Sequence, residues 1–291
     1  MKTSKTLTTE SGLVIVDKPA GITSHDVVSR VRRLAGTRKV GHAGTLDPMA
    51  TGVLVLGINR ATRLLGHLML TEKAYDATVR LGQTSTTDDA EGELGAPVSV
   101  DHLTESQIRD AFERQVGEIL QRPTAVSAIK IDGERAYARV RAGEDVEIPA
   151  RPVTIHELAI NAIRAADVDI SVRCSSGTYI RAIARDVGAN LGVGGHLTAL
   201  RRTAVGPYGL DTAHSLEDLA DSFTLLPIAD AARASFPSVE LTDQQVVDVR
   251  VGRRLDLALG GLTAVFAPDG EFLALYEPAG ESARAAAVFV G

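Results

Sequence analysis

A single carboxylate held in a glycine-rich loop is the feature of this chain best suited to chemistry. The run Arg38-Lys39-Val40-Gly41-His42-Ala43-Gly44-Thr45-Leu46-Asp47-Pro48-Met49-Ala50-Thr51-Gly52 places Asp47 after two bases and a histidine. The glycines permit tight turns and close approach to a ligand. Pro48 fixes its own φ and pushes Asp47 toward an extended conformation. The loop is therefore expected to be stiff, with an acid held out at a defined point. Asp-Pro alone commonly does no more than open a turn, so the chemical reading depends on what other segments bring to it.

The elements that position such a loop follow from the flanking pattern. Gly12 to Val16 is a short apolar run ending at Asp17-Lys18-Pro19, as in a buried strand entering a turn. Thr23 and Ser24 can cap a helix that begins near His25, carries Val27, Val28, Val31 and Leu34 at helical spacing, and ends at Gly36. Gly52 to Ile58 reads as a second buried strand, Arg60 to Leu70 as a helix, and Ala74 to Leu81 as an alternating strand. Residues 83–96 are polar, acidic and glycine-containing, which suits a mobile connection. A helix over 103–115, strand signals over 117–130, strands over 153–163 and 168–174, a helix over 178–191 and a strand over 196–208 follow. Without regular βαβ alternation, the fold class is α+β around a mixed, largely antiparallel sheet. The tail differs, with a short helix opening at Leu241 and strands near 263–266, 272–276 and 286–289 around the turn Ala267-Pro268-Asp269-Gly270. These assign a catalytic domain to residues 1–237 and a small β-rich domain to 238–291.

Composition narrows the class. The 291 residues, 44% of them hydrophobic, suffice for a sizeable core. No window resembles a transmembrane span, and residues 1–10 lack the apolar core of a secretory signal. The single cysteine, Cys174, excludes an intrachain disulfide and suits a reducing cytoplasm. Seven scattered histidines offer no metal-ligand spacing, so no metal is expected. The net charge of −6 looks wrong for a partner of nucleic acid, but the charge is segregated. Residues 1–80 carry twelve Lys/Arg against six Asp/Glu, and residues 171–205 hold Arg173, Arg181, Arg185, Arg201 and Arg202 against Asp186. Such a chain can turn a basic face to phosphates despite its acidic total.

Several separated segments join the Asp47 loop. They are Asp17-Lys18-Pro19-Ala20-Gly21, Glu72-Lys73-Ala74-Tyr75, Ser127-Ala128-Ile129-Lys130, Ser176-Gly177-Thr178-Tyr179-Ile180-Arg181 and His196-Leu197-Thr198-Ala199-Leu200-Arg201-Arg202-Thr203. Together with Gly-His-x-Gly-x-Leu-Asp-Pro-x-Ala-Thr-Gly, this set closely resembles the bacterial tRNA pseudouridine-55 synthase family (TruB type), from about Gly12 to Tyr208 and more weakly beyond. The resemblance implies the pseudouridine synthase fold and a C-terminal PUA-like module. It implies an isomerase that breaks the bond from uracil N1 to ribose C1′, rotates the base and rejoins it through C5, with no cofactor.

The resemblance also assigns roles. Asp47 is the catalytic carboxylate, and a carboxylate suits the charge that develops when a glycosidic bond breaks. Arg181 is the guanidinium that keeps Asp47 ionised. Tyr75 packs on the target uracil, where stacking contributes ~1–3 kcal/mol. Tyr179 and Leu200 line the pocket, and His42 fills the space left by the flipped base. Lys18 and Pro19 support the active-site loop, while Arg38, Lys39, Arg201 and Arg202 are candidates for phosphate contacts. The implied partner is the T-loop and T-stem of tRNA, met by a monomer without guide RNA or protein partner. An RNA-binding protein without chemistry, a guide-RNA-dependent synthase and a base-releasing hydrolase are the competing classes. Hydrolysis would want a second carboxylate beside the first, and the matched segments contain none.

Overall fold

Apolar runs become strands in this protein, and capped periodic runs become helices. In the computed structural model, which describes residues 9–124, 130–131, 134–135 and 148–290, the chain begins with β1 (Gly12–Lys18), α1 (Ser24–Ala35), β2 (Val40–His42) and β3 (Thr51–Ile58). A 3-10 turn (Asn59–Arg63), α2 (Leu65–Leu68), β4 (Lys73–Leu81), α3 (Glu105–Glu113) and β5 (Gly117–Gln121) follow. Next come the short pair β6 (Lys130–Ile131) and β7 (Glu134–Arg135), then β8 (Arg151–Arg164), β9 (Asp167–Cys174), α4 (Ile180–Asn190) and β10 (Gly195–Val205). The chain closes with β11 (Tyr208–Gly209), a 3-10 turn (Leu210–Thr212), α5 (Leu216–Asp221), β12 (Leu226–Pro227), α6 (Ile228–Ser235), β13 (Ser238–Glu240), α7 (Asp243–Arg250), β14 (Thr263–Phe266), β15 (Phe272–Ala279) and β16 (Ser282–Val288).

These elements form two units that do not follow chain order. The first holds the chain up to Asp47, Val53–Met69 and everything from Gly206 onward. Here β1 pairs antiparallel with β12, and β2 pairs antiparallel with β3 through Val40↔Ile58 and His42↔Leu56. Helix α1 starts on a capping box, in which the Asp26 amide donates to Thr23 Oγ1 at 3.1 Å and the Thr23 amide donates to Asp26 Oδ2 at 2.9 Å. It stops at Gly36, whose φ of 65° is left-handed. Val27, Val28 and Val31 turn inward.

The C-terminal strands belong to this first unit. β13 runs parallel to β14, and β14, β15 and β16 are antiparallel neighbours. Leu241, Val249, Leu255, Leu273 and Tyr276 form the core of this sheet and α7. Arg60 and Arg63 donate to the carbonyls of Phe289 (3.0 Å) and Val288 (2.7 Å), so two basic residues of the 3-10 turn hold strand-end backbone.

The second unit comprises Pro48–Gly52 and Leu70–Val205. Its sheet runs β10-β4-β9-β8-β5 with every neighbour antiparallel. The first residues of β3 add to β10 in parallel, Thr51 against Arg201 and Gly52 against Arg202. β4 alternates as its sequence predicts: Lys73, Tyr75, Ala77, Val79 and Leu81 are buried while Asp76 and Arg80 face water.

The structure departs from the local reading in three places. Residues 60–70 do not make one helix. Asn59 adopts a positive φ of 53° and a 3-10 turn intervenes before the single turn of α2, which contains Gly66. Val40 to His42 is a strand rather than the lead-in to a loop. Residues 83–96 are tied down by bridges from Ser85 to Leu94 and from Asp89 to Leu197, with Ser85 and Asp89 buried. Ser127, Ala128 and Ile129 lie outside the described residues.

Candidate active site

The loop that carries Asp47 is anchored on both sides. Upstream, in the first unit, Ser24 at the start of α1 clasps Leu46: its Oγ donates to the Leu46 carbonyl at 2.9 Å and accepts from the Leu46 amide at 2.8 Å. The Ala43 amide donates to the Val55 carbonyl at 2.9 Å. Ala43, Leu46 and Ala50 are buried, which leaves Asp47, half-buried, as the acidic member of the loop. Downstream, in the second unit, Gly52 lies against β10 with φ 100°, and a Cβ there would fall 2.1 Å from the Arg202 carbonyl. Only glycine fits such an approach. Within the first unit the loop is thus clasped at Ser24, and within the second its far end packs against Arg202.

The other expected residues take the following places. Lys18 is fully buried and donates to the Pro19 carbonyl at 2.9 Å, in the turn after β1. His42 is half-buried on β2. Tyr75 on β4 stands opposite Arg202 on β10 and Val172 on β9, and Leu200 stands opposite Ala77. Opposed residues of an antiparallel pair share a face, so Tyr75, Leu200 and Arg202 lie together on the buried side of the second unit's sheet. Arg38 and Lys39 are exposed, and Arg201 is half-exposed with Nη1 3.3 Å from Thr51 Oγ1. Arg202 corrects an expectation. It is 1% exposed and has no surface to offer an RNA backbone, because alternation along β10 turns it inward.

Tyr179 and Arg181 sit at the start of α4. Gln121, buried at the end of β5, brackets Tyr179: its Oε1 accepts from the Tyr179 amide at 2.8 Å and its Nε2 donates to the Tyr179 carbonyl at 3.1 Å. Arg181 is 5% exposed, and its Nη1 donates to the Thr87 carbonyl at 2.8 Å and to Asp89 Oδ2 at 3.0 Å. Asp89 Oδ1 accepts from Thr87 Oγ1 at 2.6 Å and from the Glu91 amide at 3.0 Å. A guanidinium and two further donors fix this carboxylate in place. The sequence reading named Asp47 as the carboxylate served by Arg181. The structure adds Asp89, which that reading left in a mobile connection. Gln121 and Asp89 are the positioning residues missed, and neither carries a local signal.

One titratable group beside Tyr75 is perturbed. Burial, and then the positive charge of Arg202, lower Lys73 from 10.5 to about 8. Its Nζ donates to the Thr71 carbonyl at 2.8 Å. Among the described residues, no group of three or more His, Cys, Asp or Glu side chains could hold a metal ion. No helix among them is long and apolar enough to cross a membrane.

Over 96% of its length the chain superposes, with a TM-score of 0.75 and 27% identity, on 85% of a chain in the solved "Crystal Structure of a Cbf5-Nop10-Gar1 Complex". A second structure, of an "H/ACA RNP bound to a substrate RNA containing 2'-deoxyuridine", gives 0.73 at 26% identity, covering 96% of this chain and 85% of that one. The description "TruB family pseudouridylate synthase (N terminal domain)" matches residues 32–180, and two TruB C-terminal descriptions match 181–232 and 236–290. The protein named tRNA pseudouridine synthase B from Arthrobacter sp. (strain FB24) is 57% identical across 96% of both chains. Its namesake from Streptomyces griseus subsp. griseus is 56% identical across 97% of this chain and 98% of its own. The chain belongs to the TruB family of pseudouridylate synthases, and is an isomerase.

Proposed function

We propose that this enzyme converts uridine 55 in the T-loop of tRNA to pseudouridine. The relatives' shared name, tRNA pseudouridine synthase B, supports tRNA as the substrate class. The observation that carries the reading is the Ser24 clasp on Leu46, which holds the chain directly before one half-buried carboxylate, Asp47. Rigid placement matters because a reaction within one bound nucleotide gains its rate from orientation and from charge fixed in advance.

In this reading the target base leaves the T-loop stack and enters the pocket. Asp47 meets the ribose as the bond from C1′ to N1 breaks. The freed uracil turns, C5 bonds to C1′, and the proton on C5 departs while N1 gains one, so atoms balance without a co-reactant. Tyr75 stacks on the base, with Leu200 and Tyr179 completing the wall, and His42 occupies the gap in the loop. Arg181, fixed by Asp89, supplies the positive charge that keeps Asp47 ionised. Arg38, Lys39 and Arg201 contact phosphates, and the C-terminal β sheet holds the stem as a PUA-like module. The enzyme works in the cytoplasm as a monomer, without guide RNA or protein partner.

The test is tritium release from a tRNA transcript labelled at uridine C5, with RNA binding measured in parallel. Wild type is expected to release tritium. Asp47→Asn should bind and release none. Tight binding by wild type without release would sink the enzymatic reading and leave an RNA-binding protein. The basic residues also predict binding that weakens steeply with salt. A salt slope near zero would remove Arg38, Lys39 and Arg201 from the interface.

A further inference from the structure

Arg181 is not the only arginine by which α4 holds the 83–96 segment. Arg185, one helical turn on, presents the same face of the helix. Its three nitrogens are all engaged. Nη1 donates to Asp88 Oδ2 at 3.2 Å, Nε to Asp186 Oδ1 at 2.8 Å, and Nη2 to the Arg122 carbonyl at 2.7 Å. Two successive arginines of one helix face therefore grip two successive aspartates, Asp88 and Asp89. Between the grips the chain is constrained. Asp88 adopts φ 62°, its amide donates to the Ser85 carbonyl at 3.2 Å, and its own carbonyl accepts from Leu197 of β10 at 3.0 Å. Arg181 reaches the carbonyl before Asp88 and the carboxylate after it.

We propose that Arg185 and Asp88 are positioning residues of the synthase, forming a second clasp that sets the 83–96 segment so that Asp89 meets Arg181 in one geometry. The inference rests on the reading of Arg181 as part of the active site. Asp88 is poorly suited to a purely stabilising role. Its side chain is 14% exposed, and burial raises its pKa despite the neighbouring Arg185 and Arg181 charges. Its left-handed backbone is uncommon outside glycine, although Asp and Asn tolerate it best. A buried pair that recovers less than its desolvation cost is weak evidence for stability. The clasp instead fixes geometry, and a displacement of about 1 Å at a catalytic group can lower a rate by up to ~100-fold.

The experiment uses full-length enzyme with the C5-tritiated tRNA transcript under single-turnover conditions, together with tRNA affinity and melting temperature. Asp88→Asn keeps the shape and the backbone preference but removes the charge. It is expected to slow release about tenfold, leave affinity within about twofold, and leave the melting temperature unchanged or raised. Arg185→Gln should act in the same direction, and Arg185→Lys should fall between it and wild type. The double variant should be no slower than the slower single, because both remove one clasp. If Arg185→Gln fails to fold, Asp88→Asn decides. Wild-type rates in the Asp88 and Arg185 variants, with Asp47→Asn inactive, would overturn the clasp alone. A rate loss that only tracks a lower melting temperature would overturn it too. Release by Asp47→Asn equal to wild type would instead bring down the reading on which the clasp rests.

Discussion

The second unit uses arginine–carboxylate pairs at two kinds of address. On the outer face of β4, β9 and β8, Arg80 meets Asp167 across the strand register, and Arg173 spans Glu72 and Glu157. These side chains are at least a quarter exposed. On the inner side, the side chains of Arg181 and Asp89 are 6% and 3% exposed and come from segments 92 residues apart. The bond lengths are alike, but the consequences differ. Outer pairs trade water for protein at almost no net gain, whereas the inner pair has left water altogether and depends on its partners. The comparison separates contacts that decorate a solvated sheet from contacts that fix a site.

Breaking the inner pair from one side should produce the largest effect. Arg181→Met leaves Asp89 buried without its guanidinium and is expected to cost about 3–5 kcal/mol in urea unfolding, with tritium release lost. The double change Arg181→Met with Asp89→Leu should recover most of that stability and none of the activity. Recovery of both would show that the pair is a structural filler, and the distinction between inner and outer pairs would lose its functional meaning.

Lys73 sharpens the comparison, because it is a buried cation beside another cation, Arg202, on the same inner face. Its folded pKa of about 8 lies below the ordinary 10.5. The unfolded chain therefore binds this proton more tightly. Folding carries a penalty below pH 8 that fades as pH rises toward 10.5. Lys73→Met should accordingly be more stable than wild type at pH 7, by ~2 kcal/mol, with the difference shrinking above pH 8. Burial pushes Cys174 up to about 11, and Lys73 itself lowers it in part, so the folded thiol stays largely protonated across pH 7 to 10 in both proteins. A constant difference from pH 7 to 10 would show that Lys73 is not held under that penalty.

Legibility in the sequence followed the range of the interactions. Helix α1 was readable because its signals are local: Thr23 and Ser24 at one end and Gly36 at the other. The alternation of β4 announced which residues turn inward, Tyr75 among them. The Gly and Pro spacing of the Asp47 loop marked where a carboxylate is presented, although its Ser24 clasp was not readable. Asp88-Asp89-Ala90-Glu91-Gly92 looks like an acidic surface turn because nothing nearby betrays the arginines of α4 that hold Asp88 and Asp89. Gln121 was silent for the same reason, since its two bonds reach Tyr179 across 58 residues. Arg202 misled because arginines in pairs suggest phosphate contacts, while the strand pleat sends one of the two inward.

The outer face gives the smallest expected effect. Arg80 donates from Nε and Nη2 to the two oxygens of Asp167 at 2.7 and 2.6 Å, the bidentate geometry that should favour an exposed pair most. The Arg80 hydrogen bond holds Asp167 below the usual carboxylate range. Its contribution is then present at neutral pH and lost as pH falls through that lowered value. With Arg80 47% exposed, a double-mutant cycle of Arg80→Ala and Asp167→Ala is expected to give a coupling under ~1 kcal/mol at pH 7, smaller still in high salt, with tritium release unchanged. A coupling that matched the Arg181–Asp89 pair, or a loss of turnover, would mean that exposure does not set the worth of these pairs, and the outer sheet face would have to be counted with the active site.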